Sequence, residues 1–157
     1  MAANGTLRYR VADSARTLRG DEQRLKGQAG TTVKIKDCCG EASYRATQRP
    51  GAFKLVMGGD RSKETWMTIE YDPSYPDSIF IDARPLKLSL DTREAIDICL
   101  HIDGSVIELI VSERIAWTRR FYYKGAAQNA VLQWEGASSL ESVACWPLKP
   151  ISATRLT

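Results

Sequence analysis

The residues that could break or make a bond are few in this chain. There is one histidine, His101, against 19 carboxylates, four cysteines and no glycine-rich phosphate loop. A glycosidase needs two carboxyl groups flanking the scissile bond, one protonated and one ionised. Glu108 is the most suggestive acid for such work, since a tight hairpin would set it near Cys99 and His101 on one mixed face. Its plainer role is a structural carboxylate at or near an interface. A catalytic His101 would need a nucleophile and an orienting acid beside it. Placed on an alternating strand shortly before a turn, it reads instead as a half-exposed polar position. Ser105 follows Asp103-Gly104, but the G-x-S-x-G pattern of a nucleophile elbow is absent, so its hydroxyl is expected to brace the turn.

The remaining chemistry is equally spare. Cys38, Cys39, Cys99 and Cys145 contain no CxxC pair, and with a single histidine they give no zinc spacing of the usual kind. The vicinal pair Cys38-Cys39 would be strained as a disulfide, so a turn carrying ordinary thiols before Gly40 is expected; one long-range bridge stays open. The acids of DPSYPD lack calcium-loop spacing, and VMGGD lacks a following helix with Lys and Ser or Thr. A plain loop and a hairpin turn are expected there, and neither a metal nor a cofactor site. Trp66, Trp117, Trp134, Trp146, Tyr122 and Tyr123 have flat rings that could stack on sugars, although large aromatics in a sheet protein more often fill the core.

These residues must be positioned by strands. In IDICLHIDGSVIELIV, Ile96, Ile98, Leu100 and Ile102 alternate with Asp97, Cys99 and His101, and a second aliphatic run follows Asp103-Gly104. Asp-Gly favours a two-residue type I′ hairpin, which would set Ile102 opposite Ser105, Leu100 opposite Ile107 and Ile98 opposite Leu109. Each branched aliphatic is worth about 1.5–3 kcal/mol when fully buried, so that wall must face the core. Asp97, Cys99, His101, Val106, Glu108 and Ile110 form the other, mixed face, expected to be half-exposed or docked against something.

Period-two segments at 31–36, 42–47, 52–57, 65–71, 79–82, 115–123, 130–135 and 140–145 are separated by Gly, Pro, Asp and Ser. The fold class is therefore all-β: a two-layer antiparallel β-sandwich, jelly-roll-like, of about ten strands. Val11, Ala15 and Leu18 at helical spacing predict a short N-terminal helix or linker, with Gly20 able to end it and the charged GDEQRLKGQAG run as a surface connection. Residues 1–29 are read as the remnant of an interdomain linker and 30–157 as the sandwich domain. The 157 residues are one domain's worth, at 43% hydrophobic and 26% charged. A net charge of +3, without a basic block, argues against nucleic acid as a partner. No apolar run approaches the roughly 20 residues that span a bilayer, so a membrane is not expected either. The first ten residues have no signal-peptide core, and Asn4-Gly5-Thr6 is a glycosylation sequon by pattern only.

DGSVIELIV followed by WTRRFYY resembles the C-terminal β-sandwich module of glycoside hydrolase family 32, the invertase, inulinase and levanase group. The family signature, Asp-x-Ser-x-x-Glu, a strand, then Arg-x-Tyr, is matched by Asp103, Ser105, Glu108, Arg120 and Tyr122. TIEYDPSYPDSIFIDARPL and the tail CWPLKPIS are similar to further strands of that module, and LRYRVADSARTLRG to the segment that leaves the catalytic propeller. Arg10 stands there where Pro is common, and Asp13-Ser14 where Glu-Leu is common. In that family catalysis resides in a five-bladed propeller with Asn-Asp-Pro-Asn, Arg-Asp-Pro and Glu-Cys motifs. None of the three occurs in this sequence, so no catalytic residue carries over. The resemblance implies a non-catalytic accessory module that docks on the propeller, stabilises it and sometimes joins oligomer or sugar contacts. A free-standing carbohydrate-binding module for fructans, using Trp66, Trp117, Trp134 or Trp146, is the second reading, and an enzyme in its own right the third.

Overall fold

The computed structural model describes residues 7–48, 50–61, 64–91, 94–122, 129–136 and 140–149. Tyr123, the sequon at 4–6 and the end of the CWPLKPIS tail lie outside them. Twelve strands among these residues form two antiparallel sheets of six. The first sheet contains β1 (Gln23–Lys26), β3 (Cys39–Gln48), β8 (Ala95–Asp103), β9 (Val106–Val111), β10 (Ile115–Arg120) and β12 (Leu140–Pro147). The second contains β2 (Thr32–Ile35), β4 (Phe53–Gly59), β5 (Thr65–Tyr71), β6 (Ser78–Ile81), β7 (Arg84–Lys87) and β11 (Ala130–Glu135). Their spatial orders are β1-β12-β3-β8-β9-β10 and β2-β11-β4-β5-β6-β7. The fold is the expected all-β sandwich.

Alternation explains the core. Ile96, Ile98, Leu100 and Ile102 of β8 and Ile107, Leu109 and Val111 of β9 are all buried on the inner face of the first sheet. They meet Phe53, Leu55, Met57, Met67, Ile69, Ile79 and Ile81 from the second. Trp134 fills one end, its ring 4.4 Å from Phe53 of its own sheet and 5.9 Å from Tyr44 of the other. Trp66 stacks on Phe121 at 4.2 Å, and both are buried.

The hairpin differs from the expected register by two residues. Ile102 pairs with Ile107, Leu100 with Leu109 and Ile98 with Val111, and Asp103 pairs with Val106. The loop is therefore Gly104-Ser105 and not Asp103-Gly104. Gly104 has φ +58, while Ser105 is not in the left-handed region. Positive φ at the first loop position alone is the type II′ pattern, which favours Gly there. A slip of two preserves every side chain's face, so the aliphatic wall survives unchanged. Nothing lies within 4 Å of a Cβ built on Gly104, so Gly104→Val meets backbone strain only. Its expected cost is about 1–2 kcal/mol, measurable by chemical denaturation; an unchanged midpoint would refute the turn geometry.

The type I′ turn occurs elsewhere, at Asp82-Ala83 between β6 and β7, where φ is +49 and +61. β7 is not evident from the sequence because Pro85 lies within it, which an edge strand tolerates. The expected surface connection contains β1, an exposed edge strand paired with β12. The glycines of VMGGD belong to β4 itself, and the bend follows at Asp60. The N-terminal helix is a single turn, α1 (Asp13–Arg16), ending at Thr17 and not at Gly20.

One polar hub ties the strand ends of the second sheet. The Asp60 carboxylate accepts from the Asn129 backbone N–H at 3.0 Å, from Asn129 Nδ2 at 2.7 Å and from Lys34 Nζ at 2.9 Å. The Asn129 side-chain oxygen in turn accepts from the Asp37 N–H at 3.0 Å. These hydrogen bonds, led by the Asn129 side chain, hold the Asp60 pKa below the usual carboxylate range. A folded pKa depressed below the unfolded value of about 3.9 adds stability above that pH, and loses it as pH falls further toward the folded value. The melting-temperature gap between the native chain and Asp60→Asn should thus be largest near neutrality and shrink below about pH 4. A gap that does not change with pH would contradict this assignment.

Candidate functional site

The outer face of the first sheet is where titratable groups converge. Pairing registers align Trp146 of β12, Glu41 of β3, His101 of β8, Glu108 of β9 and Thr118 of β10 in one row across five strands. Glu108 thus lies opposite His101, not Cys99 as the expected turn would have placed it. This mixed face is not open. The N-terminal segment crosses it, held by the Tyr9 N–H donating to the Glu113 carbonyl at 2.9 Å at one end. At the other, the Lys149 N–H donates to the Leu18 carbonyl at 2.8 Å and the Gly20 N–H to the Pro147 carbonyl at 2.7 Å.

Under this strap Glu41 is fully buried. Arg19 grips it with two hydrogen bonds, Nε to Oε2 at 2.7 Å and Nη2 to Oε1, while the guanidinium lies 4.2 Å from the Trp146 ring centre. A forked guanidinium suits a carboxylate in this way, and its flat face suits an aromatic ring. The Cys99 thiol donates to Glu41 Oε1 at 3.4 Å, and His101 Nε2 is 3.6 Å from Oε2 without a hydrogen-bonded partner. Burial, then the Glu41 charge, pushes the Cys99 thiol up to about 12. It stays protonated at neutral pH and is no nucleophile.

Glu41, Cys99 and His101 each place a ligand atom within 4.8 Å of the others, the one such three-residue group among the described residues. Both Glu41 oxygens are already taken by Arg19, so the cation this carboxylate holds is the chain's own. The cluster reads as a latch for the strap. Neither Glu41 nor Arg19 is legible in the sequence, because the alternation of CGEASYRAT marks Glu41 as outward-facing, and only the strap turns outward into buried.

The signature residues lie at the β9-β10 side of this sheet. Asp103 ends β8, Ser105 is in the loop and half-buried, and Glu108 is exposed. Arg120 pairs with Val106, which pairs with Asp103. Arg120 is exposed, and Tyr122 just beyond it is 78% exposed. Asp103, Arg120 and Tyr122 thus cluster near the hairpin tip, whereas Glu108 belongs to the His101 row. Of the tryptophans, Trp66 and Trp134 are buried, Trp117 is half-buried and Trp146 lies beneath Arg19. Burial leaves Trp66 and Trp134 no face to offer a sugar. None of the four cysteines is disulfide-bonded, and burial pushes Cys38 up to about 11. In the DPSYPD loop Asp72 accepts from the Ser74 N–H at 2.8 Å, an ordinary turn.

No family model matches the sequence, and no curated protein sequence does. The fold is nonetheless shared with solved structures. Over 90% of this chain it is similar to a Bombyx mori GH32 beta-fructofuranosidase, at a TM-score of 0.72 and 14% identity. Over 89% it is similar to a sucrose-6-phosphate hydrolase from Lactobacillus gasseri, at 0.65 and 18%. This chain spans 30% of the length of each. A Caenorhabditis elegans galectin matches over 79% of this chain and 94% of its own length, at 0.57 and 7% identity. The hairpin's resemblance thereby extends to the whole described architecture, and the chain has the fold of the C-terminal β-sandwich of family 32 glycoside hydrolases.

Proposed function

We propose that this chain is a non-catalytic accessory β-sandwich whose role is to dock on and stabilise a catalytic β-propeller of a fructan- or sucrose-hydrolysing enzyme. The observation that carries the reading is the match of 90% of this chain to 30% of a beta-fructofuranosidase. The site chemistry supports it: the one buried carboxylate at the His101 cluster is neutralised by an internal arginine, and its neighbouring thiol is held protonated. Neither group is poised for acid–base or nucleophilic work.

In this reading residues 1–29 are the linker from the propeller, of which 9–20 fold back over the first sheet. Asp103, Arg120 and Tyr122, gathered at the hairpin tip, are the docking contact, with Ser105 and Glu108 holding the hairpin that presents them. A ring as exposed as that of Tyr122 suits an interface, and without a propeller the same contact favours self-association. The test is hydrolysis of sucrose, inulin and levan by the pure chain. No release of reducing sugar above the blank is expected. Release that disappears in Glu108→Ala would replace this reading with that of an enzyme.

A further inference from the structure

The latch brings together groups that the docking role does not use. Register pairs Glu41 of β3 with His101 of β8, and Cys99, two residues before His101, shares their face. Carboxylate, thiol and imidazole therefore converge from two neighbouring strands. A tetrahedral zinc ion with bonds of about 2.0–2.3 Å sets its ligand atoms about 3.3–3.6 Å apart. The Cys99 sulfur already stands 3.4 Å from Glu41 Oε1, and His101 Nε2 stands 3.6 Å from Oε2. All three ligand atoms lie within 4.8 Å of one another, so small side-chain shifts close the set around an ion. His101 Nε2 is moreover buried with no hydrogen-bonded partner among the described residues, a donor atom that the latch leaves unused.

From this arrangement we propose that Glu41, Cys99 and His101 form a zinc site gated by the strap, in which the metal and the Arg19 guanidinium are alternative occupants. Thiolate, imidazole and carboxylate are the donors zinc favours, whereas magnesium and calcium take oxygen. The exchange balances in charge. With the strap closed, Arg19 neutralises Glu41; with it open, the divalent ion neutralises Glu41 and the Cys99 thiolate together, and His101 binds as the neutral ring. The thiol proton passes to solvent, water completes the fourth position, and the guanidinium moves out into water still protonated. The buried site is thus neutral in both states, as burial demands. A cavity of about 180 Å³ beside the strap is lined by Arg19, Glu41 and Cys99 and gives the ion its way in. The strap can leave because its one helical turn, α1, contributes no buried residue.

The whole chain is titrated with zinc chloride and cobalt chloride. The native chain must open its strap before it binds, which lowers its apparent affinity by the fraction open, so Arg19→Ala should take up zinc about 100-fold more tightly. Cobalt in Arg19→Ala should show a thiolate-to-metal charge-transfer band that Cys99→Ser removes, although Cys38, Cys39 and Cys145 remain. In the native chain, saturating zinc should speed hydrogen exchange in residues 9–19 while β8 and β9 stay protected. Cys99→Ser or His101→Ala should abolish that response, and this arm decides the matter if Arg19→Ala does not fold. Equal zinc affinity in the native chain and Arg19→Ala, a cobalt band that survives Cys99→Ser, or a strap whose exchange zinc leaves unchanged overturns the proposal.

Discussion

Arg19→Ala should lower the stability of this chain by about 3 kcal/mol or more, a fall in melting temperature of roughly 10 °C for a chain this size. The cost comes less from the missing attraction than from the charge left behind. Glu41 is fully buried, and without the guanidinium its charge would keep, among the described residues, the Cys99 thiol as its hydrogen-bonding partner, with His101 Nε2 3.6 Å away. Arg19→Lys should recover only part of the loss, because an ammonium cannot fork onto both oxygens or stack flat on Trp146. The double variant Arg19→Met, Glu41→Leu should be far more stable than Arg19→Ala, since it buries no charge. Hydrogen exchange should show the strap around residues 9–19 opening in Arg19→Ala while β8 and β9 stay protected. If Arg19→Ala melts like the native chain, the carboxylate is not buried in solution and the latch does not exist.

Trp134→Ala should cost about 3–5 kcal/mol. The ring is fully buried and packed against Phe53 and Tyr44, so it joins the two sheets and its removal leaves a void that neither can fill. Trp134→Phe should cost much less. Its indole Nε1 has no hydrogen-bond partner among the described residues, so the smaller ring removes an unsatisfied donor as well as some packing. Denaturant unfolding of the two variants measures this difference directly. Equal and small losses would place Trp134 at the surface, where a sugar could reach it, contrary to the packing described above.

The fold was largely legible because period-two burial is written into each strand, and β5 and β11 occupy the expected residues 65–71 and 130–135. The misses have local causes. β1 is exposed along its whole length and has no apolar parity to read, while Pro85 disguised β7. The hairpin slipped by two because Asp-Gly and Gly-Ser both make acceptable tight turns, and only a type II′ bend puts Gly first. The site was far less legible. Arg19 and Glu41 are 22 residues apart and become partners only when the strap closes over the sheet. The burial of Trp66 and Trp134 likewise depends on which rings the two sheets enclose, which composition does not encode.

Sedimentation velocity of the purified chain mixed with a family 32 catalytic propeller lacking its own sandwich tests the docking role most directly. The account predicts a one-to-one complex that is weakened by Tyr122→Asp and melts above the propeller alone. Two species that sediment independently at every concentration, with the propeller's melting temperature unmoved, would contradict it.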